Sequence, residues 1–247
     1  MVYSHLSGSR VGRLSEDLTL EKLAAAIPSQ GGRKAGPLLR QAAREAMPQT
    51  AIVELGCWLG AGTAQLALGL RERNDAHGVD VHCFDYFQAS GPEVRKAKAA
   101  GIALNRGQDT LPVVQGLLAP FDVPISYRKG SIEFAHWKRR PISVYVQDAG
   151  KDPASFSLMI SKFAPSWVPG QTVLFLMDFY TWRKSGKAFE RCQTDFVEAN
   201  QDCFSDPEPI RGTSSVKLRY LKQVDLSGLQ PSWFSRNALP RIRQALR

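Results

Sequence analysis

The spacing of hydrophobic residues changes near residue 50. Upstream, "SEDLTLEKLAAAI" and "PLLRQAAREA" place apolar residues three and four apart, as amphipathic helices do, and "QGGRKAG" breaks the chain between them. Downstream, short runs rich in β-branched and aromatic residues take over. "TAIVEL", "GVDVHCFDYF", "PISYRKGS", "ISVYVQDAGKD" and "PGQTVLFLMDFYTW" predict five strands, and "SSVKLRYLKQV" adds one or two more. Between them, "GTAQLALGLRER", the mixed stretch from Pro92 to Ala119 and "SFSLMISKFAPSWV" predict helices. Strands alternating with helices imply right-handed crossovers and an α/β fold, its central sheet mostly parallel and flanked by helices. Ligands of such sheets collect at the carboxyl ends of the strands. Three predicted strand ends carry an acid, Asp85, Asp148 and Asp178, and a fourth runs into a glycine turn.

That turn lies in "AIVELGCWLGAGTAQLALGL", with glycines at Gly56, Gly60 and Gly62. A phosphate-cradling P-loop needs a lysine after its last glycine, and Thr63 stands there instead. The dinucleotide fingerprint wants glycines spaced two and then three apart, whereas these are spaced four and then two. Glu54, two residues before Gly56, can order the turn's backbone and attract an ammonium group, so a ligand with an amino-acid moiety suits the turn better than a pyrophosphate. The plain alternative is a turn that serves only tight packing of helix on strand.

The pattern resembles motif I of the class I methyltransferases that bind S-adenosylmethionine, many of which have E-x-G-x-G-x-G. Trp58 occupies the middle glycine here, and the turn is similar to a variant in small-molecule O-methyltransferases related to macrocin methyltransferase. The resemblance implies a Rossmann-like fold and S-adenosylmethionine as cofactor, with Glu54, Gly56 and Gly60 at the turn. It also implies that Asp85 accepts hydrogen bonds from the ribose hydroxyls and that Gly130 and Ser131 border the adenine. Ser131 otherwise reads as the N-cap of "SIEFAHW".

"YVQDAGKDPASF" resembles the D-A-x-K-D stretch of catechol- and caffeoyl-CoA-type O-methyltransferases. By that resemblance Asp148 is a metal ligand or hydroxyl-orienting carboxylate, Lys151 a candidate general base, and Asp178 the second position for a divalent metal such as magnesium. Phe179 stands where metal-using relatives often have Asp or Asn. A lysine can act as a base only if burial or a neighbouring cation lowers its pKa. For Asp148 and Lys151 the plain alternative is an exposed loop ion pair. Tyr86, Phe87, Trp137, Tyr180 and Trp182 gather near these strand ends as candidate walls for an adenine or an acceptor, and His136 is a lone histidine beside Trp137.

Lys and Arg total 32 against 23 Asp and Glu, giving a net charge of +9, which favours acidic partners, although the basic residues are dispersed and "WKRRP" and "PRIRQALR" are short. For an acidic acceptor, Arg183 and Lys184 are the first cations to test. Cys57, Cys83, Cys192 and Cys203 form no CxxC pair, so no zinc site is expected. No apolar run reaches the roughly 18 residues that span a bilayer, and the N-terminus lacks the apolar stretch of a secretory signal, so a soluble, cytoplasmic protein with no membrane partner is expected. The expected organisation is an N-terminal helical extension over residues 1–48, a cofactor-binding domain over 49–226 and a basic tail or helix over 227–247. The expected activity is methyl transfer from S-adenosylmethionine to a hydroxyl of a small-molecule or sugar-containing acceptor. A nucleic-acid methyltransferase, or a non-catalytic binding protein of the same fold, are the alternatives.

Overall fold

The computed structural model describes residues 19–30, 32–73, 78–227 and 229. Seven strands are present among them: β1 (Ala51–Leu55), β2 (Asp80–Asp85), β3 (Ile125–Lys129), β4 (Ile142–Gln147), β5 (Val173–Leu176), β6 (Glu208–Pro209) and β7 (Val216–Arg219). They form one sheet in the order β3-β2-β1-β4-β5-β7-β6. Strands β1 to β5 pair in parallel, and β7 runs antiparallel to both β5 and β6. The innermost strands β1 and β4 are buried along their whole length, which is why "AIVEL" and "ISVYVQ" read as nearly unbroken apolar runs instead of alternating ones.

The helices are α1 (residues 19–26), α2 (Gly36–Arg44), α3 (Ala61–Arg71), α4 (Gly91–Ala99), α5 (Leu111–Leu118), α6 (Pro153–Phe163), α7 (Trp182–Ser185) and α8 (Cys192–Ala199). One face of the sheet buries Leu39, Leu66, Val114 and Phe121 with Val81 and Val146. The other buries Phe156, Ile160, Phe163 and Phe196 with Val53, Tyr145 and Leu174. Leu20, Ala24 and Ile27 join the first cluster, so the helical preamble shares a core with the sheet. The tail at 227–247 lies outside the described residues apart from Ser227 and Leu229, as does the preamble before residue 19.

The five predicted strands are present, though β5 ends at Leu176, two residues before Asp178. "SSVKLRYLKQV" supplies one strand, β7, and its partner β6 comes from "EP" farther upstream. "SIEFAHW" forms only a short 3-10 turn, Ile132–Phe134, with Ser131 Oγ accepting the Glu133 N–H at 3.3 Å. No helix among the described residues is long and apolar enough to cross a membrane. The chain direction of crossovers reverses between β1 and β4, and the crevice this opens at their carboxyl ends is where the predicted residues meet.

Candidate active site

The turn after β1 is held by its neighbours on both sides. Gly56 N–H donates to Phe84 O of β2, and Asp148 N–H, just past β4, donates to Leu55 O, each at 2.8 Å. Gly56 has φ +84°, and a Cβ there would come within 2.6 Å of Asp148 O, so only glycine lets the turn lie against the end of β4. Gly60, also in the left-handed region, precedes the first residue of α3. Glu54 is buried beneath the turn, where Thr63 Oγ1 donates to its Oε2 at 2.5 Å. A side chain at Gly62 would run into Glu54 Oε1, which explains the third glycine.

Asp85 ends β2 and turns its carboxylate toward the same bend. Trp58 N–H donates to Oδ2 at 2.9 Å and Phe87 N–H to Oδ1 at 2.7 Å. Each oxygen keeps a lone pair for a further donor. Burial raises the Asp85 pKa against the pull of those N–H groups. Glu54 is pushed up to about 7 by burial first, with the negative charge of Asp85 adding to it. Asp148 opens to the water of the crevice, yet the protein around it withdraws enough solvent to push its carboxyl up to about 8. Asp178, Glu54 and Asp85 contribute in the same direction, and Lys151 opposes them. Three carboxylates therefore converge where each disfavours the charge of the others.

Lys151 Nζ bonds Asp178 Oδ1 at 3.0 Å, and Thr181 Oγ1 donates to the same oxygen at 3.0 Å. Burial works against the Lys151 charge, but Asp178 outweighs it and the pKa is raised, so Lys151 is a cation at neutral pH. The proton-accepting role expected of Lys151 therefore does not suit it, because an ammonium has no lone pair to offer. Asp152, the last residue of the D-A-x-K-D stretch, caps α6 by accepting the N–H groups of Ala154 and Ser155.

Glu54, Gly56, Trp58, Asp85, Asp148, Lys151, Asp178 and Thr181 line one cavity of about 1860 Å³, which Gly130, Ser131, Tyr86, His136 and Trp137 also border, whereas Gly60 and Asp152 are not part of its lining. Tyr86 is 63% exposed, whereas Phe87 is fully buried in the core. Trp137 packs edge-on against His82 at 5.0 Å, and Tyr180 and Trp182 are engaged by Arg183 at 3.9 and 5.4 Å. The walls that sequence reading missed are Thr181, the loop Gly212–Ser215 and the α1–α2 connection around Arg33. They carry no motif, and only the antiparallel return of β7 and the docking of α2 bring them to the crevice.

No family model and no curated protein matches the sequence. Among solved structures, the apo form of CalS11, a TDP-rhamnose 3'-O-methyltransferase of calicheamicin biosynthesis, matches with a TM-score of 0.50 at 12% identity, over 87% of this chain and 96% of that one. The SAH-bound Podospora anserina methyltransferase PaMTH1 matches with a TM-score of 0.48 at 13% identity, over 90% and 100%. The chain has a class I methyltransferase fold.

On that fold Trp58 is a departure with a measurable consequence. It adopts φ +46°, a glycine-like conformation that costs a tryptophan roughly 1–2 kcal/mol, and its buried Nε1 has no hydrogen-bond partner among the described residues. Against this stands a ring that is only 8% exposed, whose truncation costs about 3–5 kcal/mol. The ring wins. Trp58→Gly, which restores the glycine of the wider methyltransferase motif, is expected to lower unfolding free energy by about 2 kcal/mol in urea denaturation. A stabilised variant would show instead that strain in the turn dominates.

A divalent metal does not fit the residues present. Lys151 already occupies one oxygen of Asp178. Phe179 is 2% exposed and meets Tyr180 edge-to-face at 4.8 Å, and no cluster of three potential ligands occurs among the described residues. Asp148 and Asp178, the magnesium ligands that the D-A-x-K-D resemblance implies, are placed as a carboxylate among other acids and an ion-paired one.

Proposed function

We propose that the protein is an S-adenosylmethionine-dependent methyltransferase that methylates a hydroxyl of a small-molecule acceptor. One observation carries the reading. Glu54, Asp85 and Asp148 converge on a bend whose backbone is bared by glycine, a set of carboxyl acceptors that disfavours phosphate and rewards a cationic nucleoside. When bound, S-adenosylmethionine supplies an electrophilic methyl group on a positively charged sulfur. In this reading the free lone pairs of Asp85 accept the two ribose hydroxyls, while Glu54 and the Gly56–Gly60 backbone face the amino-acid end. Gly130 and Ser131 border the base.

Asp148 is then the group that takes the acceptor's proton. The contact between Gly56 and Asp148 O makes cofactor turn and candidate base a single rigid unit, which favours catalysis by positioning. A base with a pKa near the working pH combines availability with driving force. Lys151, held by Asp178, supplies positive charge next to an oxygen that becomes negative as its proton leaves. The cavity exceeds the roughly 300–1000 Å³ of ordinary ligand pockets, so cofactor and acceptor fit side by side.

Calorimetry with S-adenosylmethionine and S-adenosylhomocysteine tests this directly. Both nucleosides are expected to bind, and Asp85→Ala to weaken both by at least about tenfold through loss of two charge-assisted hydrogen bonds. Absence of binding by either nucleoside to the wild-type protein ends the proposal.

A further inference from the structure

The crossovers between the parallel strands are built unequally. The connection from β1 to β2 carries α3, that from β2 to β3 carries α4 and α5, and that from β4 to β5 carries α6. The connection from β3 to β4, residues 130–141, holds only the short turn Ile132–Phe134. Yet most of it lines the cavity, at residues 130–132 and 134–138. A wall made of loop is ordered only if other elements hold it.

Its bonds show what holds it. Gly130 N–H donates to Asp85 O at 3.0 Å, so the connection starts on the residue assigned to the ribose. Within the turn, Phe134 N–H donates to Ser131 O and Ala135 N–H to Ile132 O, each at 3.1 Å. The remaining support comes from α6. Lys162 Nζ donates to Glu133 O and to Ala135 O, both at 2.9 Å, so one ammonium grips the backbone on either side of Phe134. The Phe134 ring is left 75% exposed at the cavity rim. Phe163, next along α6, packs on Trp137 at 5.7 Å and on Phe84 at 5.2 Å, which fixes the far end of the loop.

A lysine in the last turn of a helix ordinarily serves its own helix's carbonyls or a nearby acid. Lys162 instead spends two charge-assisted bonds on a segment 27 and 29 residues away. Burial draws its pKa down, with the charge of Glu133 opposing. Lys162 is not part of the cavity lining, so whatever it does for a ligand it does through the turn. The other end of α6 begins at Pro153, capped by Asp152 beside Lys151, so one helix joins the loop of the candidate base to this wall.

Resting on the methyltransferase reading of the cavity, we propose that Lys162 is a positioning residue for the cofactor's nucleoside: its ammonium holds the turn from Ser131 to Ala135 as a preformed wall for the base, the support that a crossover helix would otherwise give. Without the ammonium the turn is ordered only when the ligand binds, and affinity falls by the cost of ordering it. The chemistry at Asp148 stays as it is.

The test combines calorimetry and amide hydrogen exchange on the full chain. Lys162→Met keeps the length of the stem and removes the ammonium. It is expected to weaken S-adenosylhomocysteine binding by at least about tenfold, and adenosine binding by the same factor within about threefold, because the loss lies at the nucleoside end. Lys162→Arg, which keeps the donors, should recover affinity to within about threefold of wild type. In unliganded Lys162→Met, exchange should quicken by at least about tenfold at residues 131–137 and stay unchanged in β1 and β4. Should Lys162→Met fail to fold, Lys162→Gln carries the same expectations, and Ser131→Ala, which removes the bond from Glu133 N–H to Ser131 Oγ, is expected to lose at least about threefold of affinity. The proposal is overturned if Lys162→Met binds S-adenosylhomocysteine within about threefold of wild type, if Lys162→Arg recovers nothing, or if exchange quickens equally in β1 and β4. Failure of S-adenosylhomocysteine to bind the wild-type protein counts against the methyltransferase reading, and adenosine titration with hydrogen exchange then judges the wall alone.

Discussion

Asp148→Asn lowers kcat by about 10³-fold and leaves S-adenosylhomocysteine affinity within about threefold of wild type, because it removes a proton acceptor without changing side-chain volume. Such a split separates a catalytic group from a structural one. If turnover with an identified acceptor falls less than about tenfold, another group takes the proton. The pH profile adds a second readout. The Asp148 carboxyl is lifted to about 8 by burial and by its acidic neighbours, so in the free protein it is mostly protonated at neutral pH and serves as a base only above that value. Activity under kcat/KM conditions therefore rises with pH through the region of 8. A bound cation favours the ionised form, so the midpoint of kcat itself lies lower. Glu54, lifted to about 7, moves in the same sense: its ionisation strengthens binding of the cationic cofactor more than of the neutral thioether product. In Asp148→Asn the upper rise disappears.

Gly56→Ala is the substitution with the largest expected structural effect. The added methyl meets Asp148 O at 2.6 Å and Ala149 Cβ at 3.1 Å, and φ +84° is strained for alanine. Neither side can yield cheaply, since Gly56 N–H is bonded to Phe84 O and Asp148 N–H to Leu55 O across three adjacent strands. Backbone strain and overpacking each cost about 1–3 kcal/mol, so stability should fall by about 3 kcal/mol or more. That is a large share of the 5–15 kcal/mol typical of a domain. Urea denaturation reads the loss, and S-adenosylhomocysteine affinity should drop by at least about tenfold because the bend itself has moved. A variant as stable as wild type would mean that the turn and β4 move independently, and the coupling of cofactor turn to base would be lost with it.

How much was legible before folding follows the range of the interactions involved. The period change near residue 50, the order of five strands and the placing of acids at three strand ends are local properties. They depend on a residue's own neighbours along the chain, and the sheet realises them. The failure of the phosphate-loop and dinucleotide readings was equally local, because those turns are defined by spacing.

Lys151 marks the boundary of that legibility. Whether its ammonium is depressed into a base or held as a cation depends on a carboxylate 27 residues away, and only the packing of β4 beside β5 places Asp178 Oδ1 within 3.0 Å. Phe179 shows the same limit from the other side, since the lack of a ligating side chain at its position was readable but its burial in the core was not. Strand β7 was legible in "SSVKLRYLKQV", but its partner β6, the loop Gly212–Ser215 and the approach of Lys34 had no signature in the sequence. Backbone pairing between distant segments, with one glycine where a side chain would clash, creates them.

The sequence by itself determined the alternation of elements and the glycine-and-acid bend, because period and turn chemistry are short-range. Only the tertiary structure decided which carboxylates share a field, which cations are paired and which side chains face one cavity. Electrostatic coupling and close approach act through space, and their values exist only once the chain has brought separated residues together.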